Sequence, residues 1–164
     1  MKNTLLFFGI CCCILQSSCT SRSEAAAEYN KQVIDEQVEI VRSFNEVDST
    51  LNELDAESID DAYHILRGKI KGGIRKLDSI GGFKGDESLL LASKELFRGY
   101  DSLVDGPYQE LIVLLELPDS LFTSEEQLKA FKLEDQIIAE IHGLHEAYEV
   151  KQLAFGEKYN LVLE

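Results

Sequence analysis

Apolar residues recur every three or four positions along most of this chain, and this period constrains the fold more than any other feature. A step of three or four residues places side chains on one face of an α-helix, whereas a half-buried strand would need strict alternation. Residues 24–54 are therefore predicted to form one long amphipathic helix. Its apolar positions are Tyr29, Val33, Ile34, Val38, Val41, Phe44, Val47, Leu51 and Leu54.

Three more stripes of the same period follow, at residues 59–80, 89–115 and 128–159. They are separated by an acidic turn, "NELDAESIDD", by a glycine-rich turn, "GGFKGD", and by the loop "LPDSLF". Long amphipathic helices joined by short loops are typical of helical bundles. The sequence therefore predicts an all-α fold, an antiparallel up-down-up-down four-helix bundle over residues 25–164.

This topology predicts which segments meet. The start of the first helix, the glycine-rich turn and the end of the last helix would share one end of the bundle, the base. Tyr29, Phe83 and Tyr159 are expected to gather there, with Phe83 plugging the base. The acidic turn would lie at the opposite end, the tip. Pro107 predicts a kink in the third helix rather than a break, because the apolar stripe continues in phase beyond it.

Local signals mark the helix boundaries. Asp86 can cap the third helix, and Thr123 with Glu126 forms the pattern of a capping box at the start of the last one. Three glycines at positions 68, 72 and 73 weaken the second helix by about 1 kcal/mol each. We expect them to be tolerated because another helix passes close by.

The first 19 residues form a separate unit. Lys2 precedes an apolar run at residues 5–15, which is shorter than the ~20 residues that a membrane-spanning helix needs. A cationic start, a short apolar core and small residues are the layout of a secretory signal peptide, here residues 1–18. Ser17-Ser18-Cys19 resembles a bacterial lipobox, although Gln16 stands where such motifs usually carry Leu. Cys19 is thus the predicted lipidation site, and ordinary signal-peptide cleavage is the alternative.

Lipidation would determine both the redox chemistry and the location of the mature chain. All four cysteines lie within residues 11–19, so cleavage before Cys19 removes three of them and the lipid blocks the fourth. No disulfide or thiolate metal site then remains. Residues 19–24 would be a short lipidated tether. The predicted location is the cell envelope, at the outer membrane, facing either the periplasm or the surface, since Thr20 gives no Asp-type retention signal.

The charge balance limits the partners. Thirty Asp and Glu residues against 16 Lys and Arg residues give a net charge of −14, which repels phosphate backbones and excludes nucleic acid as a partner. The acidic turn lacks the glycine and the spacing of a calcium loop. It is either a solvated tip or a docking patch for a basic protein. The docking candidates are Glu53, Asp55, Glu57, Asp60 and Asp61.

Chemically reactive patterns are scarce. His142 and His145 lie three residues apart beside Glu146, which makes them weak metal candidates or simply surface histidines. The pair formed by Asp61 and His64 would lie about 18 Å away along the bundle axis, too far to share a metal with them. No nucleophile–base motif is present, so neither catalytic residues nor a cofactor are expected. The apolar run at residues 111–117 is either core or a self-association surface.

Three segments carry a resemblance to a known family. They are "AEYNKQVIDEQVEIVRSFN" at residues 27–45, "FKGDESLLLASKELFRGYDSL" at 83–103 and "LAFGEKYNLVL" at 153–163. With them the chain resembles a family of uncharacterised bacterial surface lipoproteins with a four-helix-bundle domain. The resemblance implies an extracytoplasmic helical bundle without known catalytic residues. The sequence departs from that family at residues 156–158, where Gly-Glu-Lys replaces an expected helix-favouring run.

These observations predict a lipid-anchored, non-catalytic envelope protein that binds a protein partner or another envelope component, or associates with itself. The alternative is a helical bundle that binds a small ligand or a metal, with a cavity opened by the kinked third helix.

Overall fold

A computed structural model describes residues 17–53 and 56–162, with the side chains of residues 22–51 and 58–162. The described chain is all-helical and contains no β-strand, which confirms the predicted all-α class. The helices are α1 (Ser17–Glu53), α2 (Ala56–Ser79), α3 (Ser88–Leu103), α4 (Gln109–Leu115) and α5 (Ser124–Tyr159). Along this part of the chain, no helix combines the length and the apolar character needed to cross a membrane.

The helices pack in sequence order. α1 lies along α2, α2 along α3, and α3 along α5, whereas α1 and α5 meet only sparsely. The most deeply buried large side chains come from several of these helices. They are Val33 and Ile40 of α1, Leu66, Ile70 and Leu77 of α2, Leu89, Leu96, Phe97, Tyr100 and Leu103 of α3, Tyr108 between α3 and α4, and Phe155 of α5.

Gly73 permits the closest approach in this core. A Cβ atom at Gly73 would lie 2.8 Å from the ring of Phe97 and 3.2 Å from Ile40, so α2 is held against both α3 and α1 only because this side chain is absent. The expected close passage of another helix is thus confirmed at Gly73. The expectation is wrong at Gly68 and Gly72, where a Cβ atom would meet no neighbouring helix.

The predicted kink in the third helical segment is also confirmed. A π-helical turn, Val104–Tyr108, joins α3 to α4, and within it Gly106 leaves helical geometry at φ −120° and ψ −107°. Pro107 lies in this turn and cannot donate a backbone hydrogen bond. The hydroxyl of Tyr63 in α2 donates to the carbonyl of Val104 at 3.1 Å. A hydrogen bond therefore connects the bend to α2.

The apolar run at residues 111–117 is mainly core. Leu111, Ile112 and Leu114 are buried, while Val113 on the opposite face of α4 is exposed. This outcome favours the core interpretation of the run over the self-association surface.

The predicted helix-start signals are present. The N-cap of α3 is Glu87, which makes no capping bond with its side chain; Asp86, the predicted cap, lies one residue earlier and provides the bond instead, since its Oδ1 accepts from the backbone N–H of Ser88 at 3.0 Å. Thr123 and Glu126 form the capping box that starts α5. Asn160 ends that helix in the left-handed conformation, with φ 54°.

The predicted gathering of aromatic side chains at the base is confirmed. Phe83 is buried, and its ring centroid lies 5.5 Å from that of Tyr29, 5.9 Å from that of Phe155 and 4.9 Å from that of Tyr159. The hydroxyl of Tyr29 donates to the carbonyl of Gly81 at 3.1 Å. The glycine-rich turn thus inserts one aromatic ring between α1 and α5.

Candidate functional site

The predicted lipidation site lies at the N-terminal edge of the described residues. Residues 1–16 and the side chain of Cys19 fall outside them, so the signal peptide and the lipid remain predictions. α1 begins at Ser17, earlier than the helix start near Glu24 that the sequence indicated. The tether of residues 19–24 concerns the cleaved chain and remains a prediction as well.

The acidic turn is described only in part. Asp55 and the side chains of Glu53 and Glu57 lie outside the described residues. Asp60 and Asp61 are exposed in the first turns of α2. Oδ1 of Asp60 lies 3.4 Å from Nε2 of His64, so the neighbour of this histidine is Asp60 rather than the Asp61 that the sequence spacing suggested.

The two metal candidates face different surroundings. His142 is exposed, with Nδ1 3.6 Å from Oε2 of Glu146. His145 is half-buried, and its Nε2 shares a hydrogen bond of 2.5 Å with the hydroxyl of Tyr100. Among the described residues, no group of three or more histidine, cysteine or carboxylate side chains could hold a metal ion.

The environment of His145 favours its neutral form. Burial lowers the pKa of the imidazole, and the nearby His142 lowers this pKa further. Burial also raises the pKa of the Tyr100 phenol, so both partners of this hydrogen bond are held uncharged at neutral pH.

A groove that sequence reasoning missed runs between α1 and α5. It has two adjoining parts, of about 470 Å³ and about 450 Å³, which share Ile34 and Gln152. One part extends along α1 to Asn45, and the other reaches the chain beyond α5. Its apolar lining consists of Ala27, Ile34, Val38, Val41, Leu161 and Val162.

The polar lining of this groove differs from the rest of the chain. Among the residues that the structure describes, no carboxylate side chain lines either part of the groove. Gln152 of α5 donates from Nε2 to Oδ1 of Asn30 on α1 at 3.2 Å and so connects the two walls. The polar lining residues are the amides Asn30, Gln37, Asn45 and Gln152 and the cations Lys31 and Arg42.

Both cations have a partner on their own helix. Nζ of Lys31 lies 2.5 Å from Oδ2 of Asp35, and Nη1 of Arg42 lies 2.7 Å from Oε1 of Glu39. Exposed ion pairs of this kind contribute little stability, so each cation can exchange its partner for a ligand at small cost. The groove therefore offers apolar contact, amide hydrogen bonds and two exchangeable positive charges.

The outward face of α5 carries a second surface, here called the α5 stripe. It consists of Leu128, Phe131 and Ile138, which are 54%, 56% and 66% exposed. The sequence pattern placed all three in the single apolar stripe at residues 128–159, whereas the buried face of α5 excludes them. The buried apolar positions in this half of α5 are instead Ala130, Leu133 and Ile137.

Two apolar faces on one helix explain this difference. Periodicity shows that an apolar stripe exists, but two stripes about one position apart merge into a single broad pattern in the sequence. The groove left no comparable signal, because Ile34, Val38 and Val41 belong to the predicted apolar stripe of α1 and its α5 residue is an ordinary glutamine. The chain matches no protein-family model, no curated protein and no solved structure.

Proposed function

We propose that this chain is a lipid-anchored, extracytoplasmic protein of the cell envelope whose antiparallel up-down-up-down bundle binds a protein or another envelope component without catalysing a reaction. The observation that carries the anchoring is the N-terminal pattern: Lys2, an apolar run at residues 5–15, and Ser17-Ser18-Cys19. The outer membrane is the proposed location, with the domain facing the periplasm or the surface.

Contacts between helix ends support the antiparallel order. Oγ of Ser23, near the start of α1, donates to the carbonyl of Asn160 at the end of α5 at 3.3 Å. Tyr63, early in α2, donates to Val104 at the end of α3. Each contact pairs the beginning of one helix with the end of another, as neighbouring antiparallel helices require.

The same contacts support a membrane-proximal base. The guanidinium of Arg22 lies 5.3 Å from the centroid of the Tyr159 ring, which holds the start of α1 at the base. A lipid on Cys19, three residues earlier, would bring this end of the bundle to the membrane. Two or more acyl chains give stable anchoring, whereas a single chain is marginal.

An exposed apolar surface supports the binding role. Large contiguous apolar patches on soluble domains commonly mark interaction sites. The α5 stripe presents three exposed apolar side chains on one face of the helix. Asp60 and Asp61 at the tip offer a separate, acidic docking surface for a basic partner.

A small-ligand-binding bundle is the second candidate function, and the groove favours it. Ligand pockets typically measure about 300–1,000 Å³, and each part of the groove falls within that range. Both parts lie along α1 and α5 rather than at the Pro107 kink, where the sequence had suggested a cavity. The metal-binding version has weaker support, because His142 and His145 have different partners.

Metabolic labelling with a palmitate analogue in a diderm bacterium tests the anchor. The full chain should incorporate the label, and its mature form should begin at Cys19 when analysed by mass spectrometry. Cys19→Ser should abolish incorporation, while the matched variant Cys13→Ser should keep it, since Cys13 lies in the removed segment. Label in the Cys19→Ser protein, or a mature chain that begins elsewhere, would refute lipid anchoring.

A further inference from the structure

We propose that the partner of the groove is a second copy of this chain, whose α5 stripe packs between α1 and α5 of the first. This inference rests on the proposed binding function and names the partner. Each chain has both surfaces. The groove of one copy would bind the stripe of Leu128, Phe131 and Ile138 on the other copy.

The apolar parts of the two surfaces fit each other. Ile34, Val38 and Val41 follow the three- and four-residue steps of one helix face and line the groove over about 10 Å of α1. The α5 stripe spans about 15 Å of its own helix. A helix that lays an apolar stripe into such a groove is a common mode of protein recognition. Packing the stripe there would bury side chains that are more than half exposed in the single chain.

The charges favour this groove over the acidic parts of the surface. A chain with a net charge of −14 repels a second copy across most approaches. The groove is less acidic, because its described lining contains Lys31 and Arg42 and no carboxylate; the carboxylates that pair with these cations, Asp35 and Glu39, lie beside the lining. On the stripe, Asp135 lies between Phe131 and Ile138 in sequence, is exposed, and makes no ion pair with any described residue. Docking would bring Asp135 toward the cations of the groove.

The two surfaces cannot satisfy each other within one molecule. Phe131 and Gln152, which lines the groove, are 21 residues apart on the same continuous helix. This separation corresponds to about 31 Å along the axis. The contact must therefore form between two copies.

Disulfide trapping between two differently tagged full-length chains tests the contact directly. One chain carries Val38→Cys in the groove, and the other carries Phe131→Cys on the stripe. Mild oxidation of intact cells should give a mixed dimer that reductant dissolves. Leu91→Cys replaces Val38→Cys in the control, because Leu91 is an equally exposed apolar residue, at 53%, on α3. The control should yield several-fold less dimer; equal yields, or no dimer with Val38→Cys, would overturn the proposal.

Charge exchange provides a test that does not depend on cysteine chemistry. Arg42→Asp in both tagged chains, or Asp135→Arg in both, should reduce their co-purification several-fold, because each substitution then removes the charge pair in both directions of the contact. Co-purification should be restored when both chains carry Asp135→Arg and one of them also carries Arg42→Asp. The groove of that chain then places Asp at position 42 opposite Arg at position 135 of the other chain, so that the ion pair is re-formed with opposite polarity. Both sites are exposed, so circular dichroism should be unchanged. Failure of the combined variant to exceed either single variant would contradict the assignment of Asp135 to this contact.

A photo-crosslinking amino acid at position 38 identifies the occupant independently of any assumed partner. The expected adduct joins position 38 to the peptide that contains Phe131 of another copy. An adduct with a lipid or with a different protein would overturn self-association. Palmitate labelling of the same cultures reports the anchor separately. A lost label with preserved dimers would refute the anchor alone, and a foreign protein adduct would leave the proposed binding function standing.

Discussion

The aromatic contact at the base and the groove are built by the same two helices, but only the contact is closed; the groove stays open although one end of it, at Ala27 and Leu161, lies near the base. At the base, Tyr29 of α1 and Phe155 of α5 approach to 5.9 Å between ring centroids, and Phe83 from the glycine-rich turn fills the space beside them. Farther along, α1 presents Ile34 and Val38, and a space of about 470 Å³ remains.

The difference shows that helix pairing alone does not close an interface. Closure at the base depends on large aromatic side chains and on a third element, the turn at residues 81–86, that supplies one more ring. Aliphatic residues and amides line the groove without a third element to cover them. The same pair of helices therefore forms a closed aromatic contact at the base and leaves an open groove elsewhere.

The largest expected effect comes from removing the ring that closes the base. Phe83→Ala should lower the free energy of unfolding by about 3–5 kcal/mol, since a buried aromatic side chain is lost and a cavity is left. Phe131→Ala, measured at a protein concentration at which the chain is monomeric, is the matched control, because it makes the same chemical change on a face that is exposed in the single chain and should cost within about 0.5 kcal/mol. Urea denaturation followed by circular dichroism measures both. Equal losses would mean that the base is no more tightly packed than the α5 stripe.

A smaller effect is expected at Asp86, which ties the turn to α5. Its side chain is 10% exposed and accepts from Nζ of Lys158 at 2.7 Å and from the hydroxyl of Tyr159 at 3.1 Å. Asp86→Asn weakens these bonds and should cost about 1–3 kcal/mol at pH 7. Ser120→Asn in the exposed loop before α5 should have almost no effect on the same unfolding measurement.

The effect of Asp86 should depend on pH in a defined direction. The hydrogen bond from Lys158, followed by that from Ser88, lowers the pKa of this carboxyl below its ordinary value of 3.8. The stabilisation is therefore fully present above pH 3.8 and is lost as the pH falls toward the lower pKa of the folded state. Wild type and Asp86→Asn should differ in unfolding free energy at pH 7 and converge in strong acid. A difference that persists unchanged in strong acid would show that the charge of Asp86 is not responsible.

The smallest expected effect concerns His145, whose Nε2 shares a hydrogen bond with the hydroxyl of Tyr100. Burial holds the pKa of this imidazole below its ordinary value of 6.5, so the unfolded chain binds a proton more readily than the folded one. Stability should fall as the pH drops below about 6.5. The melting temperature of the wild type should fall between pH 7.5 and pH 5.5, and His145→Gln should make this fall smaller. In the control variant His142→Gln, most of the fall in melting temperature should remain. Identical pH dependence in wild type and His145→Gln would exclude His145 as its source.

Much of the fold was accessible from local patterns. The helical class, the Pro107 kink, the capping box at Thr123 and the meeting of Tyr29 with Phe83 and Tyr159 each follow from residue spacing or from residues that favour one backbone geometry. The candidate surfaces were less accessible. The α5 stripe was not distinguished from the buried face of α5, and the groove was not predicted, because each depends on which of several apolar faces meets a neighbouring helix.

The sequence by itself determined the helices, since the period of apolar residues and the turn residues act over a few positions and need no distant partner. It also set the acidic charge of the chain. The tertiary structure alone decided that Leu133 of α5 is buried while Phe131 is exposed, and that α1 and α5 close at the base but separate at Val38. Those outcomes depend on side-chain volumes brought together from distant segments, which determine where two helices touch and where a space remains between them.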